Sequence, residues 1–180
     1  MKARRLHSLV FPLLVGGMLS GCSTNQSPDV TDNIRKSLDQ AGFKDVSVSE
    51  DRDKGVVTLS GNVPTDTDKQ QAESIAKSNA ASLVVADQIA VRPPGNESEA
   101  KAVDSDLDKA IEKNLDATLV KHRLKKNVKY DVKNGVVTLT GDVPSQTKRE
   151  QVEKLVASVP NVKQVVNELE VKGQKASSTS

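Results

Sequence analysis

Three groups of residues in this chain have the types and spacing to do chemistry. Cys22 is the single cysteine among 180 residues and follows Leu19-Ser20-Gly21. An acidic run, Asp104-Ser105-Asp106-Leu107-Asp108, sets carboxylates two residues apart, and a basic run, KHRLKKNVK, gathers Lys121, His122, Arg123, Lys125, Lys126 and Lys129. A thiol can attack or be acylated, alternating carboxylates can ligate calcium, and clustered cations can hold anionic groups.

The acidic run fails as a calcium loop. Such a loop needs Gly at its sixth position and a bidentate Glu at its twelfth, and here those places hold Lys109 and Leu115. The run reads instead as the acidic first turn of a helix, where carboxylates meet the positive end of the helix dipole. No metal site is expected. Catalysis finds no constellation either: His7 lies in the N-terminal segment, His122 is the one other histidine, and no Cys-His, Ser-His, Ser-Lys or carboxylate pair stands out. The chain is read as a non-enzyme.

Cys22 takes its meaning from what precedes it. MKARRLH is a cationic start and LVFPLLVGGML an apolar run too short to span a bilayer, so residues 1–21 read as an export signal. Leu19-Ser20-Gly21-Cys22 resembles the lipobox of bacterial lipoproteins, which implies that Cys22 becomes the first residue and carries a diacylglycerol on its sulfur. No other cofactor is expected. An exported chain with one cysteine has no partner for an internal disulfide, and a lipidated sulfur accounts for it. Acyl chains add about 0.8 kcal/mol per buried methylene, and lasting attachment takes more than one chain. By resemblance to enterobacterial sorting, Ser23 implies the periplasmic face of the outer membrane. Residues 22–28 form a tether whose six residues after Cys22 span about 13 Å as a coil.

Charge narrows the partners. Removing Lys2, Arg4 and Arg5 with the signal takes 26 basic residues to 23, against 24 acidic. Only Phe43 and Tyr130 remain as aromatics. A nearly neutral chain without stacking platforms is not expected to bind nucleic acid.

The elements that must position these residues occur twice. GVVTLSGNVP at 55–64 returns as GVVTLTGDVP at 135–144, and the match runs without a gap to Val91 and Val171 at an offset of 80. Upstream the offset falls to 77, pairing Ile34 with Ile111 and Leu38 with Leu115, which predicts three extra residues between helix and strand in the second copy. Val30, Ile34 and Leu38, and likewise Leu107, Ile111, Leu115 and Leu119, predict a first helix in each copy. Val46 and Val48, or Val128, Tyr130 and Val132, alternate as a strand. Asn134-Gly135 is a hairpin signal leading into GVVTL. Gly61 and Gly141 close that strand as backbone punctuation, and Pro64 and Pro144 mark the corner into a second helix capped by Thr65 or Thr67 and by Ser145 or Thr147. Val152, Leu155, Val156 and Val159 form its stripe in the second copy, and Val165, Leu169 and Val171 a last strand. The fold class is α+β: two tandem αββαβ modules at 29–92 and 104–172, with a polar linker at 93–103 and a disordered tail at 173–180.

The motif G-V-V-x-L-x-G-x-V-P followed by such a helix closely resembles the BON domain, named for bacterial osmotic-shock and nodulation proteins. Both copies fit it, and with the lipobox in front the whole is similar to dual-BON outer-membrane lipoproteins. The resemblance implies a three-stranded mixed sheet under two helices, no enzyme activity, and roles in phospholipid binding and envelope integrity under stress.

The copies differ in charge: residues 29–92 hold 8 basic and 11 acidic residues, and 104–172 hold 13 and 11. Lys121, His122, Arg123, Lys125, Lys126 and Lys129 account for much of the excess. One reading is a solvated face whose cations suit a helix C-terminus. The other is a phospholipid-binding patch for anionic headgroups, each cation contributing roughly 1 kcal/mol, with Leu119, Val120 or Leu124 dipping into the interface. The resemblance implies the same region, although no Trp is present there. The expected partners are anionic membrane phospholipids. The alternative is a periplasmic interaction or chaperone-like factor that binds envelope proteins or self-associates through sheet edges.

Overall fold

The alternating strands and amphipathic stripes form the predicted series, helix, strand, strand, helix, strand, in both copies. The computed structural model describes residues 30–172. Asp29, the signal at 1–21, the tether at 22–28 with Cys22, and the tail at 173–180 lie outside the described residues. Module 1 comprises α1 (Val30–Gln40), β1 (Val46–Asp51), β2 (Val56–Val63), α2 (Asp66–Asn79), β3 (Val84–Asp87) and β4 (Ala90–Val91). Module 2 repeats them as α3 (Glu97–Lys121), β5 (Val128–Lys133), β6 (Val136–Val143), α4 (Gln146–Ala157), β7 (Gln164–Asn167) and β8 (Glu170–Val171).

Each sheet is mixed. β1 runs antiparallel to β2, with Val46 opposite Gly61, and β3 and β4 both run parallel to β2 as one third strand broken at Gln88-Ile89. β5, β6, β7 and β8 repeat this arrangement. In module 1, Val57 and Leu59 of the central strand meet Ile34, Leu38, Ala72 and Ala76. In module 2, Val137 and Leu139 meet Ile111, Leu115, Leu119, Val152 and Val156. Burying each leucine or isoleucine contributes about 1.5–3 kcal/mol, the main return for ordering so short a chain. Thr65 and Ser145 are the caps of the second helices, their hydroxyls accepting from Asp68 N at 3.1 Å and Lys148 N at 3.2 Å.

The repeated decapeptide is explained at Gly61 and Gly141. Their φ values are +114° and +115°, and a Cβ would stand 2.1 Å from the Asp45 carbonyl oxygen and 2.2 Å from that of Asn127. The incoming chain crosses so close to the central strand that only glycine fits. Asn134 and Gly135, at φ +52° and +83°, make the expected two-residue hairpin.

Two expectations change. α3 starts at Glu97, not behind Asp104, so the polar connector is helical from Glu97 onward and the acidic run sits within the helix. Two of its three carboxylates serve as struts: Asp104 pairs with Arg92, and Asp108 accepts from Asn134 N at 2.8 Å and Gly135 N at 2.9 Å, fixing the hairpin. The repeat register upstream also differs. α1 closes with Phe43 N donating to Leu38 O at 2.9 Å over Gly42, and α3 closes with Leu124 N donating to Leu119 O at 2.8 Å over Arg123. Gly42 and Arg123 both have positive φ, the mark of a Schellman cap. Leu38 therefore corresponds to Leu119, not Leu115. The cap-to-strand loop is one residue longer in module 2, and the hairpin is shortened from residues 52–55 to 134–135. The basic run is thus the counterpart of a loop both modules have.

The modules pack together on the sheet faces away from their helices. Val56, Val84 and Ala86 of module 1 form a buried cluster with Val136 and Val166 of module 2. Around it, Gln164 bonds Val85 and Asp87, Asn134 Nδ2 donates to Gln88 O at 2.8 Å, and Lys54 pairs with Glu170.

Candidate functional site

The basic run is held by two leucines. Leu119, in the last turn of α3, and Leu124, just past the cap, are buried in the module 2 core. Between and after them the chain has no room to turn inward, so Lys121, His122, Arg123, Lys125, Lys126 and Lys129 are all exposed. His122 supplies the C-cap through its backbone, donating to Thr118 O at 3.1 Å. The last carbonyls of α3 carry the negative end of its dipole, so cations are stabilised here even with no ligand.

The structure divides the six cations. Lys125 is tied by an ion pair to Asp116 of α3, and Tyr130 of β5 donates to the same carboxylate at 2.5 Å and to Glu112 O at 3.1 Å. The Lys125 and Tyr130 hydrogen bonds hold the Asp116 carboxyl below its ordinary range. Burial, then Asp116, raises the Tyr130 phenol above its usual value. Lys121, Arg123, Lys126 and Lys129 have no ion-pair partner among the described residues. Leu119 and Leu124, expected to dip into an interface, are core residues; Val120, 61% exposed, is the one of the three that faces solvent.

The sequence reading passed over one buried carboxylate. Asp87 lies at the end of β3, its Oδ1 accepting from Ile89 N at 3.1 Å and its Oδ2 lying 3.6 Å from Lys69 Nζ; Lys69 also donates to Ile89 O at 2.6 Å. Burial raises its pKa, only partly countered by Lys69. Perturbed, buried acids often mark reactive sites, yet module 2 repeats the arrangement without an acid. There Asn167 Oδ1 accepts from Leu169 N at 3.2 Å, and Arg149 Nε donates to Leu169 O at 3.1 Å. A role that a neutral amide fills equally well is the support of the break in the third strand. The signal was legible as Lys69/Arg149 and Asp87/Asn167 at the offset of 80. Among the described residues no cluster of His, Cys, Asp or Glu is arranged to hold a metal, and no helix is long and apolar enough to cross a membrane.

Osmotically-inducible protein Y of Escherichia coli strain K12 is 30% identical over 146 residues, covering 79% of this chain and 71% of its own. Among solved structures, the C-terminal domain of CdsD, a structural protein of the type III secretion system of Chlamydia trachomatis, covers 80% of this chain and 98% of its own at 17% identity and a TM-score of 0.34. A second CdsD structure covers 77% and 90% at 16% identity and a TM-score of 0.34. The model of the BON domain matches residues 19–93 and again 104–173. The chain, built twice on αββαβ, belongs to the BON domain family, with a relative named for osmotic induction.

Proposed function

We propose that this protein is a non-enzymatic envelope lipoprotein whose second BON module docks on anionic phospholipid and supports outer-membrane integrity under stress. The observation that carries the reading is the exposed, unpaired set of Lys121 at the end of α3, Arg123 and Lys126 on the loop pinned by Leu119 and Leu124, and Lys129 at the start of β5, with Val120 beside it. Each cation near an anionic surface contributes about 1 kcal/mol, so four of them give useful affinity without a deep pocket. Cys22, acylated after cleavage, would hold the chain at the periplasmic face of the outer membrane. The tether would keep module 1 close to that face, its six residues spanning about 13 Å on average as a coil. A weak patch suffices on a tethered protein, because attachment raises its effective concentration at the surface.

The test is co-sedimentation of residues 22–180 carrying Cys22→Ser with vesicles of graded phosphatidylglycerol content at low and physiological salt. Binding should rise with anionic lipid and fall with salt, and Arg123→Glu with Lys126→Glu and Lys129→Glu should abolish it while unfolding remains cooperative. Equal binding by that triple variant would remove the patch from the reading and move the function to a protein partner in the envelope.

A further inference from the structure

α3 is 25 residues long, against 11 for α1, and buries only Ile111, Leu115 and Leu119 in its core. A second stripe runs along it about a third of a turn away, because Val103, Leu107, Ala110, Asn114 and Ala117 fall within a band about 80° wide. All five are exposed, and Val103 at 59% and Leu107 at 37% are two of the three large exposed apolar side chains among the described residues. Small alanines at the middle and far end of such a stripe permit close approach of another helix.

The charges beside the stripe run from one sign to the other. Glu99 and Asp106 flank its N-terminal half, and Lys113 and Lys121 its C-terminal half. A helix graded in this way is complementary to itself when two copies lie antiparallel. With Ala110 on the two-fold axis, Glu99 faces Lys121 of the other copy, Asp106 and Leu107 face Asn114 and Lys113, and Val103 faces Ala117. Each contact occurs twice, as an isologous interface requires. A parallel pairing would oppose like charges at both ends.

We infer that α3 is a self-association surface on which a second copy of this chain packs antiparallel, centred on Ala110. The interface stands whether or not the basic loop binds lipid. Arg123, Lys126 and Lys129 lie beyond its end, although Lys121 is shared.

The chain is suited to a direct test, because Cys22→Ser leaves residues 22–180 without a thiol. In this background Ala110→Cys should oxidise to a disulfide-linked dimer faster than Lys154→Cys, an exposed control on α4. Val103→Cys mixed with Ala117→Cys should cross-link to each other faster than either does to itself. Sedimentation velocity should show a dimer that weakens with salt, weakens with Glu99→Lys or Lys121→Glu alone, and recovers when both are combined. A monomer at every concentration together with Ala110→Cys no faster than the control would overturn the inference. Preferential self-linking of Val103→Cys would overturn the antiparallel geometry.

Discussion

Gln164 of β7 uses its side chain as a piece of strand, its Nε2 donating to Val85 O at 2.7 Å on the outer edge of β3. Its Oε1 accepts from Asp87 N at 3.0 Å. Val84 N and Gln88 N face the other way, bonding Gly55 O and Leu59 O at 3.0 Å each, so the amide takes up edge groups that no strand of module 1 reaches. It does so at the rim of the apolar cluster that joins the modules.

Removing that amide should loosen one module from the other. Gln164→Ala leaves a donor and an acceptor unpaired at a partly buried seam, a cost of about 1–3 kcal/mol. Gln164→Glu should be worse, since a carboxylate would face the Val85 carbonyl with no proton to donate. Chemical denaturation is the measurement, and the expected result is a lower midpoint, with hydrogen exchange at the Asp87 amide accelerated ahead of the remaining β-strand amides. Unchanged exchange at that amide would show that the seam does not depend on Gln164.

Positions of positive φ should respond in opposite directions. Gly141→Ala drives a Cβ to 2.2 Å from the Asn127 carbonyl oxygen, and Gly61→Ala does the same against Asp45, so both belong with the strongly destabilising changes, above about 3 kcal/mol. Gly42→Ala meets nothing within 4 Å and bears only the left-handed backbone penalty of about 1–2 kcal/mol. Arg123 already bears that penalty at φ +57°. Arg123→Gly should therefore stabilise module 2 by about 0.5–1 kcal/mol, after allowing for the flexibility of glycine in the unfolded chain. Thermal unfolding of the four variants should rank them Arg123→Gly above the parent, then Gly42→Ala, then the other two. On the proposed function, Arg123→Gly should also weaken vesicle binding while raising the melting temperature, which separates the patch from the fold.

Much of this was legible because the repeat states its own alignment. The αββαβ order, the hairpin at Asn134-Gly135 and the caps at Thr65 and Ser145 follow from patterns local to a few residues, and local physics fixes them. The register of the first helix was not legible, because Ile111, Leu115 and Leu119 recur every four residues and a shift of one turn preserves the pattern. What decides it is the cap, where Arg123 stands in place of the usual glycine and hides the Schellman signature that Gly42 displays. The early start of α3 was obscured by Pro93, Pro94 and Gly95, which end before the helix begins at Glu97. The packing of the modules was invisible for another reason: Val56, Val84, Val136 and Val166 alternate as strand residues must, and nothing local says that their face meets another sheet. In the basic run, exposure of the cations was readable from charge alone, but the capture of Lys125 by Asp116 depends on the helix turning back over β5.

The carboxyl of Asp87 should set a pH dependence that its substitution removes. Burial raises its pKa in the folded chain above the ordinary 3.8, so the folded state holds the proton more tightly than the unfolded state does. Stability from this group is full below the ordinary aspartate range and declines as pH rises toward the folded value, because ionisation must then occur in a buried place. Asp87→Asn keeps the acceptor for Ile89 N and has nothing to ionise, as Asn167 demonstrates at the matching place in module 2. Unfolding free energies compared from pH 3 to pH 8 should show the variant gaining on the parent as pH rises from the ordinary aspartate range, then holding a constant advantage once Asp87 is ionised in both states. A variant that instead loses ground with rising pH would mean that the Asp87–Lys69 pair outweighs the burial of the charge.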